Sequence, residues 1–172
     1  MAKCFFVVTV LFIVFVQQAA AQNSVLKIPH LSGNVNDWES LLTDAEKSQL
    51  DSTCTMFVFK TNIPVSVITF GSNNTTKENA NDFAQQADSV LFQYGNGLHV
   101  AIFLSKEFRV LSFKANTPVQ NDTASLANWK TSIQKAFTAS VQPHIGLLKQ
   151  GKYADGLILI LSDLSGAVKK DF

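Results

Sequence analysis

From Gly95 to Phe113 the chain reads GNGLHVAIFLSKEFRVLSF, and this stretch constrains the fold more than any other. Two apolar runs rich in β-branched and aromatic residues, Leu98 to Leu104 and Phe108 to Phe113, flank Ser105-Lys106-Glu107. That pattern is two strands joined by a short turn. They form a hairpin expected in the central sheet, with Lys106-Glu107 as its turn.

The flanking sequence has a helical period, which makes the fold class α/β rather than all-β. Thr43-Asp44-Ala45-Glu46 is a capping box, in which the Thr hydroxyl accepts from the third backbone N–H and Glu46 reaches back. A helix from about Asp44 to Phe59 follows, with Leu50, Cys54, Phe57 and Val58 on one side. Pro64 to Phe70 is short, β-branched and bounded by Asn62 and Gly71, so it reads as a strand. Thr75 or Thr76 then caps a helix in which Ala80, Phe83, Ala84, Ala87, Val90 and Leu91 recur at three and four residues, and Gly95-Asn96-Gly97 ends it. Another helix begins near Thr123 or Ala124 with Leu126, Trp129, Ile133, Ala136 and Phe137 on one face, and Pro143 breaks or bends it. In the last segment Leu157, Leu161, Leu164 and Val168 favour a helix. The expectation is a three-layer-like α/β domain: a small central β-sheet, including the 98–104/108–113 hairpin, flanked by about four helices.

The N-terminus bounds the compartment. Met1-Ala2-Lys3 supplies a positive charge, Cys4 to Val16 is almost wholly apolar, and Ala19-Ala20-Ala21 offers the small side chains a signal peptidase needs. Residues 1–21 therefore read as a signal peptide cleaved after Ala21, which makes the protein secreted or periplasmic. Residues 22–35 are an irregular segment broken by Pro29 and Gly33, and residues 36–172 form a single domain. Loss of Lys3 brings the 14 Lys and Arg residues level with the 13 Asp and Glu. Formal neutrality argues against nucleic acid, which demands a basic face, and against electrostatic binding to a membrane. Of the two cysteines only Cys54 survives cleavage, so an intramolecular disulfide is impossible; at helical spacing it reads as a small buried hydrophobe.

Three pieces occurring in order resemble the TPM domain, a family named for a thylakoid lumen protein, a photosystem II repair protein and a nematode receptor modulator. They are Val35-Asn36-Asp37-Trp38 before Leu41-Leu42-Thr43, Asn96-Gly97-Leu98 opening an apolar strand, and Gly151-Lys152-Tyr153-Ala154-Asp155-Gly156-Leu157 opening the last helix. The resemblance implies a small central sheet flanked by helices. It also implies two functions, since plant lumenal members are associated with acid phosphatase activity and divalent metal, whereas the nematode member is a receptor accessory.

For a phosphatase, the resemblance implies Asp37, Asp122 and Glu107 as metal ligands for Ca²⁺ or Mg²⁺, because a hard cation wants several oxygens, and Arg109 as the phosphate-binding residue. Asp37 and Asp122 are equally ordinary helix-start residues, and Glu107 an ordinary turn residue. Many members place an Asp-rich turn where this chain has Ser105-Lys106-Glu107. His30, His99 and His144 share no metal-ligand spacing, and neither a nucleophile elbow nor a glycine-rich phosphate loop occurs. The leading expectation is a non-catalytic interaction or accessory module of the cell envelope, with envelope or extracellular proteins as partners. The alternative is a divalent-metal-dependent phosphatase. Asn73, Asn74 and Asn121 begin glycosylation sequons in loops read as surface.

Overall fold

Three consecutive strands of this protein run parallel, and the hairpin return adds a fourth. The computed structural model describes residues 28–93, 98–116 and 124–171. Within them the order is β1 (Val35–Asp37), α1 (Asp44–Thr61), β2 (Val65–Thr69), α2 (Ala80–Gln93), β3 (His99–Ser105), β4 (Val110–Asn116), α3 (Ala124–Val141), α4 (Ile145–Lys149) and α5 (Tyr153–Asp171). The sheet order is β1-β2-β3-β4. Val35 aligns with Val67 and Val67 with Ile102 in parallel register, and β4 returns antiparallel with Ile102 opposite Phe113.

The expected α/β layering is present, and strand alternation explains it. Val65, Val67, Val100, Ile102, Leu104 and Phe113 face one way and pack with Leu50, Cys54 and Phe57 of α1, Ile133 and Phe137 of α3, and Leu157, Ile160 and Leu164 of α5. Ile68, Ala101 and Phe103 face the other way and meet Ala80, Phe83, Ala84 and Ala87 of α2. Strands buried on both sides read as continuous apolar runs, which is why Leu98 to Leu104 lacks polar alternation. Because the strand order advances in one direction while α1 and α2 lie on opposite faces, the two crossovers have opposite hands. One of them therefore departs from the right-handed rule that about 98% of such units obey. The consequence is one thick helical layer of α1, α3, α4 and α5, and one thin layer made by α2.

Local chemistry accounts for the ends of α1. Thr43 accepts from the Glu46 backbone N–H, and Glu46 accepts from that of Thr43 at 2.8 Å, completing the capping box. That backbone bond, reinforced by the Thr43 hydroxyl, lowers the Glu46 carboxyl below its usual range. Asn62 closes the helix in the left-handed region at φ 57°. Cys54 is fully buried, and burial pushes its thiol up to about 12, with Asp51 adding to the shift; the sulfur packs as a hydrophobe. The last segment is a helix, α5, as its leucine spacing implied.

Four readings change. Val35–Asp37, placed at the junction of an irregular segment and the domain, is an edge strand pairing with β2. It is too short to carry a period of its own. The hairpin strands are offset from expectation, to 99–105 and 110–116, with Lys106 to Arg109 as the turn. The second helix starts at Ala80, several residues beyond Thr75 and Thr76. Between α3 and α5 lies α4, a short helix for which five residues offered no readable period. Among the described residues no helix is long and apolar enough to cross a membrane. The signal segment 1–21, Gly95-Asn96-Gly97, Asp122 and the Asn121 sequon lie outside the described residues.

Between the start of β3 and α2 lie two buried polar side chains, Asp88 of α2 and His99 of β3. Asn116 donates to Asp88, whose other carboxylate oxygen has no partner among the described residues, and His99 Nε2 has none either. Burial raises the Asp88 pKa from 3.8, while the Asn116 bond opposes the rise. Burial lowers the His99 pKa from 6.5. A depressed imidazole pKa means that the unfolded chain binds the proton first, so stability falls as pH drops below 6.5. His99→Leu is expected to flatten that part of the curve, measured as urea midpoints across the pH range. An unchanged slope would show that His99 is solvated.

Two glycines of α5 give an opposed pair of predictions. A Cβ on Gly166 meets nothing within 4 Å, so Gly166→Ala should gain about 0.5–1 kcal/mol from helix propensity. A Cβ on Gly156 falls 2.6 Å from Leu148 Cδ2 and 3.1 Å from its Cγ, so α4 or Leu148 must move. Gly156→Ala should lose about 1 kcal/mol or more despite the same propensity gain. Urea denaturation of both variants tests the α4–α5 packing, and equal stabilisation would contradict it.

Candidate functional site

The C-terminal ends of β1, β2 and β3 converge, and in open α/β sheets ligands bind at that edge. Here three carboxylates accept hydrogen bonds from the chain itself. Asp37, at the end of β1, accepts from the Leu41 backbone N–H at 3.0 Å and the Thr69 hydroxyl at 2.5 Å on one oxygen, and from Leu42 N–H at 3.0 Å on the other. Its side chain is 0% exposed, and Lys47 Nζ lies 3.8 Å away. The Thr69 oxygen in turn accepts from the Glu39 N–H at 3.1 Å. Glu39 then reaches across to the hairpin turn and accepts from Lys106 N–H at 3.0 Å and Glu107 N–H at 2.8 Å. Glu107 closes the circuit by accepting from Ser72 N–H at 2.8 Å.

Gly71 makes the closure possible. A Cβ there would stand 3.0 Å from Glu107 Oε2 and 3.2 Å from Glu39 Cγ. Asn74 holds the same loop from below by accepting from the Gly71 N–H at 3.1 Å. This corrects the surface reading of its sequon, because Asn74 is buried and its amide turns inward, whereas Asn73 remains exposed.

The turn so held forms one bank of a cleft of about 560 Å³. Its floor is aliphatic, made by Leu104, Val110, Leu111, Ile145 and Leu148. Lys106 and Arg109 stand on the hairpin bank, and Lys149 of α4 and Tyr153 at the start of α5 stand on the other. All three cations are exposed, and among the described residues none is in a salt bridge. The lining contains no acidic residue. The positive end of the α5 dipole adjoins the same wall.

Arg109 adopts φ 56°, in the left-handed region. Ser105 Oγ accepts from Phe108 N–H at 3.1 Å and Arg109 N–H donates to Lys106 O at 3.3 Å, which fixes the turn around it. For a residue with a Cβ that conformation costs roughly 1–2 kcal/mol relative to the right-handed region. Strain of this kind accumulates where a side chain must be aimed.

The structure thus separates the residues singled out in the sequence. Arg109 lines the cleft, Asp37 and Glu107 lie in the carboxylate network beside it, and Asp122 is outside the described residues. For a metal site the oxygens of Asp37 are already engaged, and Glu107 is turned to Ser72. Among the described residues no group of three or more His, Cys, Asp or Glu could hold a metal ion. Sequence reasoning missed Glu39, because its two acceptor bonds reach residues far along the chain. It also missed Lys106, Lys149 and Tyr153, which belong to elements brought together only by packing.

No family model matches the chain, and no curated protein matches it. Among solved structures it is similar to the solution NMR structure of the N-terminal domain of the cg2496 protein from Corynebacterium glutamicum. The two are 12% identical, with a TM-score of 0.49, over 88% of this chain and 90% of the other.

Glu39→Ala is expected to release the turn without melting the sheet. Amide exchange at Lys106 and Glu107 should accelerate at least tenfold, while amides in β2 and β3 keep their protection. Equal acceleration across the strands would show that the network supports the whole fold instead.

Proposed function

We propose that this protein is a non-catalytic interaction module that binds an anionic region of a partner protein through the cleft between the β3–β4 turn and the α4–α5 corner. The observation that carries this reading is the charge pattern. Three exposed cations, none in a salt bridge among the described residues, surround an aliphatic floor, while the neighbouring Glu39 and Glu107 carboxylates are turned to backbone N–H groups. The net charge of the whole chain is only +1, so this concentration of positive charge is local. Complementary charge of that kind steers a partner and fixes its register. The N-terminal signal reading supports action outside the cytoplasm, on envelope or extracellular proteins.

The rival, a phosphatase using Ca²⁺ or Mg²⁺, has Arg109 in a cleft in its favour. As read from the sequence it needs Asp37, Asp122 and Glu107 to share one ion; both Asp37 oxygens accept hydrogen bonds, one Glu107 oxygen accepts from Ser72, and Asp122 lies outside the described residues. The binding reading requires no such rearrangement.

A photo-crosslinking residue at Ile145, in the cleft, is compared with one at Ser89, exposed on α2. In the extracytoplasmic fraction of cells that make the protein, Ile145 should give an adduct mapping to an acidic segment. Arg109→Glu should reduce its yield at least fivefold, and the Ser89 position should give none. Equal yields from both faces would sink the reading. So would hydrolysis of p-nitrophenyl phosphate that needs Ca²⁺ or Mg²⁺ and disappears in Asp37→Ala.

A further inference from the structure

The two banks of the cleft carry their cations on different elements, and that arrangement restricts what can lie between them. Lys106 and Arg109 come from the hairpin turn, Lys149 from α4, and the aliphatic floor runs between. A ligand that satisfies both banks and covers the floor must have an apolar group flanked by negative charges. Resting on the binding-module reading, we infer that the occupant is a short acidic peptide segment of a partner protein with one large aliphatic or aromatic side chain set between its acids. That side chain enters the floor at Leu104, Leu111 and Leu148. Its flanking carboxylates pair with Arg109 and Lys106 on one side and Lys149 on the other.

Several features favour a peptide over other anions. Inorganic phosphate has no apolar body and would leave the floor hydrated. A flat anionic membrane cannot follow a concave floor below exposed cations, and the rest of the chain adds little net charge to attract it. The cleft is open, with exposed cations over a buried Leu148. That suits one inserted side chain of a larger body better than a fully enclosed small molecule. Arg109 is aimed by a turn that Glu39 and Ser105 hold, and its planar fork suits a carboxylate. The anchor supplies the apolar burial and the acids supply orientation, which is how a few central groups dominate protein interfaces.

Fluorescence anisotropy with the mature chain tests this. The probe is a labelled heptapeptide, Gly-Asp-Glu-Leu-Glu-Asp-Gly, with two controls, one replacing its leucine by serine and one replacing its acids by the corresponding amides. The parent peptide should bind saturably, and each control should bind at least tenfold more weakly. Arg109→Glu should weaken the parent at least tenfold. Arg109→Gly should also weaken it while leaving the urea midpoint equal or higher, since glycine adopts the left-handed turn without strain. Equal binding of the leucine and serine peptides would overturn the anchor, leaving a cleft that reads charge alone. Full competition by millimolar inorganic phosphate would overturn the peptide class. If no peptide binds while the Ile145 adduct still maps to an acidic segment of a partner, this inference fails and the binding-module reading stands. If neither peptide nor adduct is found, both fail.

Discussion

The hydroxyl of Thr69 is the joint on which the C-terminal edge of the sheet is assembled. It donates to Asp37 on β1 and accepts from the backbone of Glu39, so one side chain fixes both the end of the edge strand and the start of the segment leaving it. From that fixed point Glu39 can span to the hairpin turn. Remove the hydroxyl and Asp37 keeps its backbone donors, but Glu39 loses its anchor. The network is partly buried at Thr69 and exposed at the turn, and its bonds become more labile in that order. The position of the turn is therefore inherited from the sheet rather than from its own four residues.

This arrangement also determines the electrostatics. Over the whole chain acids and bases are nearly equal in number, 13 Asp and Glu against 14 Lys and Arg, so a count along the sequence sees near-neutrality. The fold sorts them. Carboxylates point at N–H groups, where charge-assisted bonds hold them, and cations are left pointing at the cleft. A surface can thus be strongly polarised in a chain with a net charge of +1. Screening by salt acts on the exposed cations and much less on the inner bonds, so on the proposed binding reading ionic strength would modulate recognition with little effect on the scaffold.

The layered α/β fold was legible in the sequence because its signals are local. A capping box, a β-branched run between Asn62 and Gly71, and leucines at helical spacing each mark an element without help from the rest of the chain. The failures share the opposite property. β1 has three residues and is a strand only because β2 offers it a ladder. α4 is five residues long and is held between the end of α3 and the start of α5. Asn74 looks like a surface asparagine until the Gly71 loop folds over it. At the site, Arg109 could be singled out by its place after the turn. Glu39 and Lys149 could not, since their roles depend on partners far away in sequence.

On the binding reading proposed above, the backbone strain at Arg109 fits a recognition surface better than a stability device. The left-handed position it occupies would suit glycine or asparagine, which adopt it at less cost. A chain selected for stability alone would place one of those residues at the end of the turn. With arginine there, the backbone strain is tolerated because Glu39, Ser105 and the β3–β4 ladder determine the turn from three sides. The guanidinium then starts from a fixed backbone, on the rim of a floor whose shape Leu104 and Leu148 set. On that same reading, preorganisation of this kind would lower the ordering cost of binding in the cleft of about 560 Å³.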